Sequence, residues 1–97
     1  MSDIAAALDG LRQRFLVRSA EDWRLLRAWT ARGAPPDDEM RRLVHRLAGA
    51  AGTFGFHDLS ARAKETDDRL CDGLPADPKN AAALIAELRR VLDAPPT

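Results

Sequence analysis

Apolar residues return along this chain at intervals of three and four, in runs set apart by glycine and proline. That period belongs to helices that turn one face inward. Ile4, Leu8, Leu11 and Phe15 begin the pattern, and Leu16, Trp23, Leu26 and Trp29 continue an apolar surface with some rotation. Ser19 with Asp22 has the spacing of a fresh helix start, but the unbroken run of helix formers from Leu11 to Arg32 favours one long helix that passes through Ser19. Gly33-Ala34-Pro35-Pro36 breaks it. Asp37, Asp38 and Glu39 then place negative charge in a first turn, where the helix dipole favours it, and the second helix runs to about Phe54, with Gly55 as its stop. A third starts near His57 or Asp58 and passes through Leu59, Ala63, Thr66 and Leu70 to Gly73. After the Leu74-Pro75-Ala76 loop, Asp77 caps and Pro78 opens a fourth helix, whose Ala82, Leu84, Ile85, Leu88, Val91 and Leu92 form a broad apolar face before Pro95 and Pro96 end it. Helices of this number, joined by short loops, predict an all-α antiparallel four-helix bundle, with residues 1–97 as a single domain.

Composition narrows the function classes. The chain has 97 residues, 45% of them hydrophobic, with no Tyr and little Val, Ile or Thr to build a sheet. Lys plus Arg and Asp plus Glu balance at 15 each, so the whole molecule has no field that would gather nucleic acid or an anionic membrane. No apolar run approaches the roughly 18 residues of a membrane span. The opening MSDIAAALDG has acids where a secretory leader needs bases, so a cytoplasmic location is expected. Cys71 is the single cysteine, which rules out an intramolecular disulfide, and the Cys and His residues lack metal-ligand spacing.

The chemistry gathers in VHRLAGAAGTFGF, from Val44 to Phe56. On a helix of about 100° per residue, Met40, Leu43, Val44, Leu47, Ala51 and Phe54 share one side, and His45 points almost directly away from them. Asp38, Arg41, Arg42, Gly49 and Gly52 share its outer face, with Ala48 slightly to one side. An interior glycine costs a helix about 1 kcal/mol relative to alanine, and no core packing obviously demands these two. A partner that must come close to His45 would explain them. Neutral imidazole is a usable nucleophile near pH 7, and guanidinium groups bind phosphoryl oxygens well, so the face suits a phosphoryl group.

The segment HRLAGAAGTFG, from His45 to Gly55, resembles the phosphorylation motif of histidine-containing phosphotransfer (HPt) domains. The match includes Leu47, Gly49, Ala50, Ala51, Phe54 and Gly55. The resemblance implies a small four-helix bundle that carries a phosphoryl group on His45 and exchanges it with the aspartate of response-regulator receiver domains, with a hybrid histidine kinase as a further partner. It implies an access role for Gly49. The family commonly has Lys three residues after the His, and Ala48 stands there instead, so neutralising charge must come from Arg41, Arg42, Arg46 or Lys64, or be forgone. A carrier of this kind has no kinase active site and no cofactor of its own; the receiver supplies Mg²⁺ as well as the aspartate. In keeping with that, the chain has neither a Walker loop nor a kinase glycine loop. A monomer with a small, transient interface to its partner is expected.

Two other functions compete with this one. GTFGF between two helices, with arginines nearby, has the look of a DNA-binding helix-turn-helix, which the zero net charge and the acid-rich following helix oppose. An HPt-like bundle that docks partners without phosphotransfer is suggested by the missing lysine. Trp23, Trp29 and Phe15 read as core or core-edge residues, His57 as a junction residue, and the arginines of the first helix as a solvated face.

Overall fold

A computed structural model of the chain describes residues 2–33 and 35–94. It contains α1 (Ser2–Arg32), α2 (Asp38–Thr53), α3 (His57–Cys71) and α4 (Pro78–Asp93). α1 is continuous through Ser19, which is buried in mid-helix.

The expected helix ends are seen at the residues whose side chains or backbone require them. Asp37 is the N-cap of α2 and lies just outside its first turn, a one-residue correction: its carboxylate accepts from the Met40 N–H at 2.8 Å, leaving Asp38 and Glu39 in that turn. Gly55 adopts φ 83°, and the N–H of Phe56 then reaches the Ala51 carbonyl at 2.8 Å, which satisfies an acceptor left free where α2 ends. Gly73 (φ 75°) repeats the device, with Leu74 N–H on the Arg69 carbonyl. Asp77 caps α4 by accepting from Lys79 and Asn80 N–H, and Pro78 opens it. The stop expected at Pro95 and Pro96 falls outside the described residues.

α2 and α3 are the most closely seated pair; α4 packs on α3 and α1, and α1 closes the bundle against α2 and α4. Leu26 and Trp29 of α1, Leu43, Val44, Leu47 and Ala51 of α2, Leu59, Ala63 and Leu70 of α3, and Leu84, Leu88 and Val91 of α4 form the core. Ala81 is buried in place of Ala82, which lies on the surface. Because α2 and α3 meet along their length, the turn between them belongs to a bundle and not to the steeply crossed helices of a helix-turn-helix.

One expectation fails at the start of the chain. Ile4, Leu8 and Leu11 are 68%, 56% and 45% exposed, and core burial on α1 begins only at Phe15. The cause is length. With 31 residues α1 spans about 46 Å, whereas the 16 residues of α2 span about 24 Å. Phe15 meets the rings of Phe54 and Phe56, each at 5.5 Å, where α2 gives way to α3, and among the described residues the bundle ends near that level, with Arg12 still lying over the Phe56 ring.

Candidate functional site

α2 carries His45 on the side opposite Val44 and Leu47, both fully buried, so its own core stripe turns the imidazole outward. The side chain is 77% exposed. Across the groove, Asp67 of α3 places Oδ2 3.0 Å from His45 Nδ1. A carboxylate can only accept, so in the neutral ring Nδ1 holds the proton and Nε2 keeps its lone pair.

Asp67 is itself nearly buried, lying between Ala63 and Leu70 along the inner edge of α3. Its second oxygen, Oδ1, accepts from the Cys71 thiol at 3.6 Å. That thiol is held above its ordinary value by partial desolvation against the helix and then by the charge and hydrogen bond of Asp67, with Asp68 and Asp72 adding to the effect. It therefore stays protonated and able to donate.

Two further contacts fix how α3 lies beside α2. Ser60 Oγ donates to the Ala48 carbonyl at 2.8 Å, and a Cβ placed on Gly52 would come within 3.2 Å of the same Ser60 oxygen. Gly52 thus makes room for α3, which corrects its expected role in partner access. Gly49 differs, since a Cβ there would meet nothing within 4 Å and its backbone is helical. The bare surface next to His45 is at Gly49.

The cations expected around the phosphoryl group are drawn to different places. Arg41 is paired with Asp38 at 2.6 Å. Arg46 leaves the site altogether: its guanidinium makes two hydrogen bonds, 2.9 and 3.1 Å, to Asp22 of α1, a carboxylate only 2% exposed. Arg42 lines the groove between α1 and α2 with Arg18 and Glu39. Lys64 remains. It follows Ser60 by one turn and precedes Asp67 by another, so Ser60, Lys64 and Asp67 form one ridge of α3 beside Ala48 and His45. Lys64 is exposed and, among the described residues, makes no ion pair. Ala48 is half-buried at the groove, on the α2 side of that ridge.

The sequence does not point to Asp67, and it marks Asp22 only as a possible helix-start residue beside Ser19, not as the partner of Arg46. The available signal was position: Asp67 is four residues from Ala63 and three from Leu70, an acid at the margin of an apolar stripe. His57 is an exposed residue in the first turn of α3, as a junction residue should be. Among the described residues no three His, Cys, Asp or Glu side chains are gathered as metal ligands would be, and no helix is long and apolar enough to cross a membrane.

The family model described as Hpt domain matches residues 10–94 of the chain. No curated protein and no solved structure matches it.

Proposed function

The chain belongs to the Hpt domain family, whose members are phosphotransfer carriers of two-component signalling, and from that premise we propose that His45 Nε2 accepts a phosphoryl group from the aspartyl phosphate of a receiver domain and returns it to another. The observation that carries this assignment is the hydrogen bond from His45 Nδ1 to Asp67.

In the transfer the Nε2 lone pair attacks phosphorus, the P–N bond forms, and the acyl-phosphate P–O bond breaks with its electrons leaving on the receiver's aspartate. No proton has to leave His45, because Nδ1 already holds it. The product is a phosphorylated imidazole that still bears a proton, so positive charge develops on the ring as the bond forms. Asp67 is in place to stabilise that charge, and its hydrogen bond fixes the ring angle on the rigid helix pair. The reverse transfer uses the same geometry. Phosphoryl transfer depends mostly on alignment and neutralisation of the equatorial oxygens, and Lys64 is the cation the α3 ridge offers for that purpose. Gly49 lets the receiver's surface reach the ring. The receiver brings the Mg²⁺, and the carrier works in the cytoplasm where receivers are found.

The test is incubation with a phosphorylated receiver domain. An acid-labile, base-stable phosphate should form on His45, with His57→Gln labelled as the parent is and His45→Gln unlabelled but equally helical. Labelling retained in His45→Gln would assign the phosphate elsewhere. A folded parent that stays unlabelled with every receiver offered would favour a docking role without transfer.

A further inference from the structure

The first turns of α1 carry large apolar side chains that no described residue buries. Ile4, Leu8 and Leu11 stand at i, i+4 and i+7, so they form one ridge, and it points the same way as Phe15, Asp22 and Leu26, which face the bundle. The ridge therefore overhangs the end of the bundle, where Phe54 and Phe56 pack on Phe15. A notch results, with the exposed ridge as one wall and the bundle end as the other.

Charge is divided along the same segment. Its acids, Asp3 and Asp9, come before its bases, Arg12, Arg14 and Arg18. Asp3 and Arg14 lie on the same flank of the ridge, about 20° apart around the helix axis. When two such helices lie antiparallel with ridges facing, each flank meets its own equivalent, and the acidic half of one copy comes level with the basic half of the other. Parallel pairing would bring like charges level.

We propose that a second copy of this chain covers the ridge, the two overhanging helices lying antiparallel, each in the other's notch. The association is two-fold and closes on itself at the dimer. Its apolar centre is Ile4, Leu8 and Leu11 from both copies, and Asp3 of each copy faces Arg14 of the other. Three large apolar side chains per copy place the buried area below the roughly 1,200 Å² of stable complexes, so the pairing is weak and depends on concentration. This departs from the monomer expected on sequence grounds. Both phosphoryl sites stay open, because Arg46, next to His45, is level with Asp22, eleven residues and about 16 Å along α1 from Leu11. The pairing stands or falls independently of phosphotransfer.

Sedimentation of the whole chain from about 10 μM to about 1 mM should give a mass that climbs from 10.6 kDa toward twice that value. Leu8→Glu, outside the core and checked for unchanged helicity, should weaken association at least about tenfold, and Ile4→Gln should act in the same direction. Asp3→Arg and Arg14→Asp should each weaken it, and the two together should restore it, since only an antiparallel copy puts residue 3 against residue 14. A parent that stays at 10.6 kDa throughout would overturn the proposal and leave the ridge to a different occupant, such as a preceding segment or another protein. Association untouched by Leu8→Glu, or a charge swap that fails to recover, would overturn it equally.

Discussion

His45 and Asp67, 22 residues apart and on different helices, share a 3.0 Å hydrogen bond from Nδ1 to Oδ2. The bond sets the imidazole tautomer, and it exists only while α2 and α3 keep their present register. A slide of one helical turn, about 5.4 Å, would break it.

Asp67→Ala should therefore slow phosphorylation of His45 by about 10- to 100-fold, the scale on which a histidine suffers from losing its orienting partner. Helicity should be preserved. The ¹⁵N shifts of the His45 ring should move from those of a single Nδ1–H tautomer toward a mixture. Parental rates with an unchanged ring spectrum would mean that the contact has no part in transfer.

Lys64→Ala should slow transfer several-fold, with a stability change within about 0.5 kcal/mol, as for most surface substitutions. Lys64→Arg should keep most of the rate. Arg41→Ala, whose side chain is already held by Asp38, should have the smaller effect. Single-turnover transfer from one receiver, measured on all three variants, gives the order, and a larger loss in Arg41→Ala would move the neutralising charge back to α2.

Arg46→Ala should be chiefly a folding defect. It strands the Asp22 carboxylate, 2% exposed, and breaking a buried pair of this kind costs about 3 kcal/mol or more; the partial exposure of Arg46 reduces that to about 2 kcal/mol. Urea unfolding should reveal the loss, while the fraction that stays folded should transfer at close to the parental rate.

Gly49 and Gly52 should separate by the sign and size of their effects. Gly49→Ala meets open space in a helical backbone and should stabilise the fold by up to about 1 kcal/mol. Gly52→Ala must displace the Ser60 hydroxyl from 3.2 Å and should gain less, or lose. Gly49→Gln should melt no lower than the parent yet accept phosphate much more slowly. Unfolding of Gly49→Gln would make it a packing residue after all.

Cys71 should report on Asp67. With its thiol raised by partial desolvation and by the neighbouring carboxylate, less of it is thiolate at a given pH, so alkylation by iodoacetamide at neutral pH should be slower than for a free thiol. Asp67→Asn removes the negative charge and should shift the pH profile of alkylation toward lower pH. An unchanged profile would mean that Asp67 does not act on the thiol.

Both ends of α2, the end of α3 and the start of α4 were legible because each is marked by a residue with a local reason to be there: Asp37 and Asp77 as caps, Gly55 and Gly73 where φ is positive. The outward direction of His45 was legible for a similar reason, since it follows from α2 alone. Ile4, Leu8 and Leu11 misled because periodicity reveals which face of a helix is apolar and not whether anything stands opposite. The period of α2 alone puts Gly52 on an open face, because α3 cannot be seen from the sequence of α2, and Ser60 occupies that space. The contacts of Asp67 and Asp22 escape for the same cause, as their partners lie 22 and 24 residues away in sequence and meet them only through helix register.

The bond from Ser60 to the Ala48 carbonyl, with the close seating at Gly52, also bears on how transplantable this chemistry is. A synthetic peptide of α2, or its motif grafted onto the helix of an unrelated scaffold, would carry the histidine, the bare glycine and the arginines. It would lack the carboxylate that holds the ring proton and the lysine one turn before it. The motif would then be an imidazole of either tautomer on a surface of ordinary charge. The smallest unit worth moving to a new protein is the α2–α3 hairpin with its glycine turn, because the proposed acceptor is made by two helices held in one register.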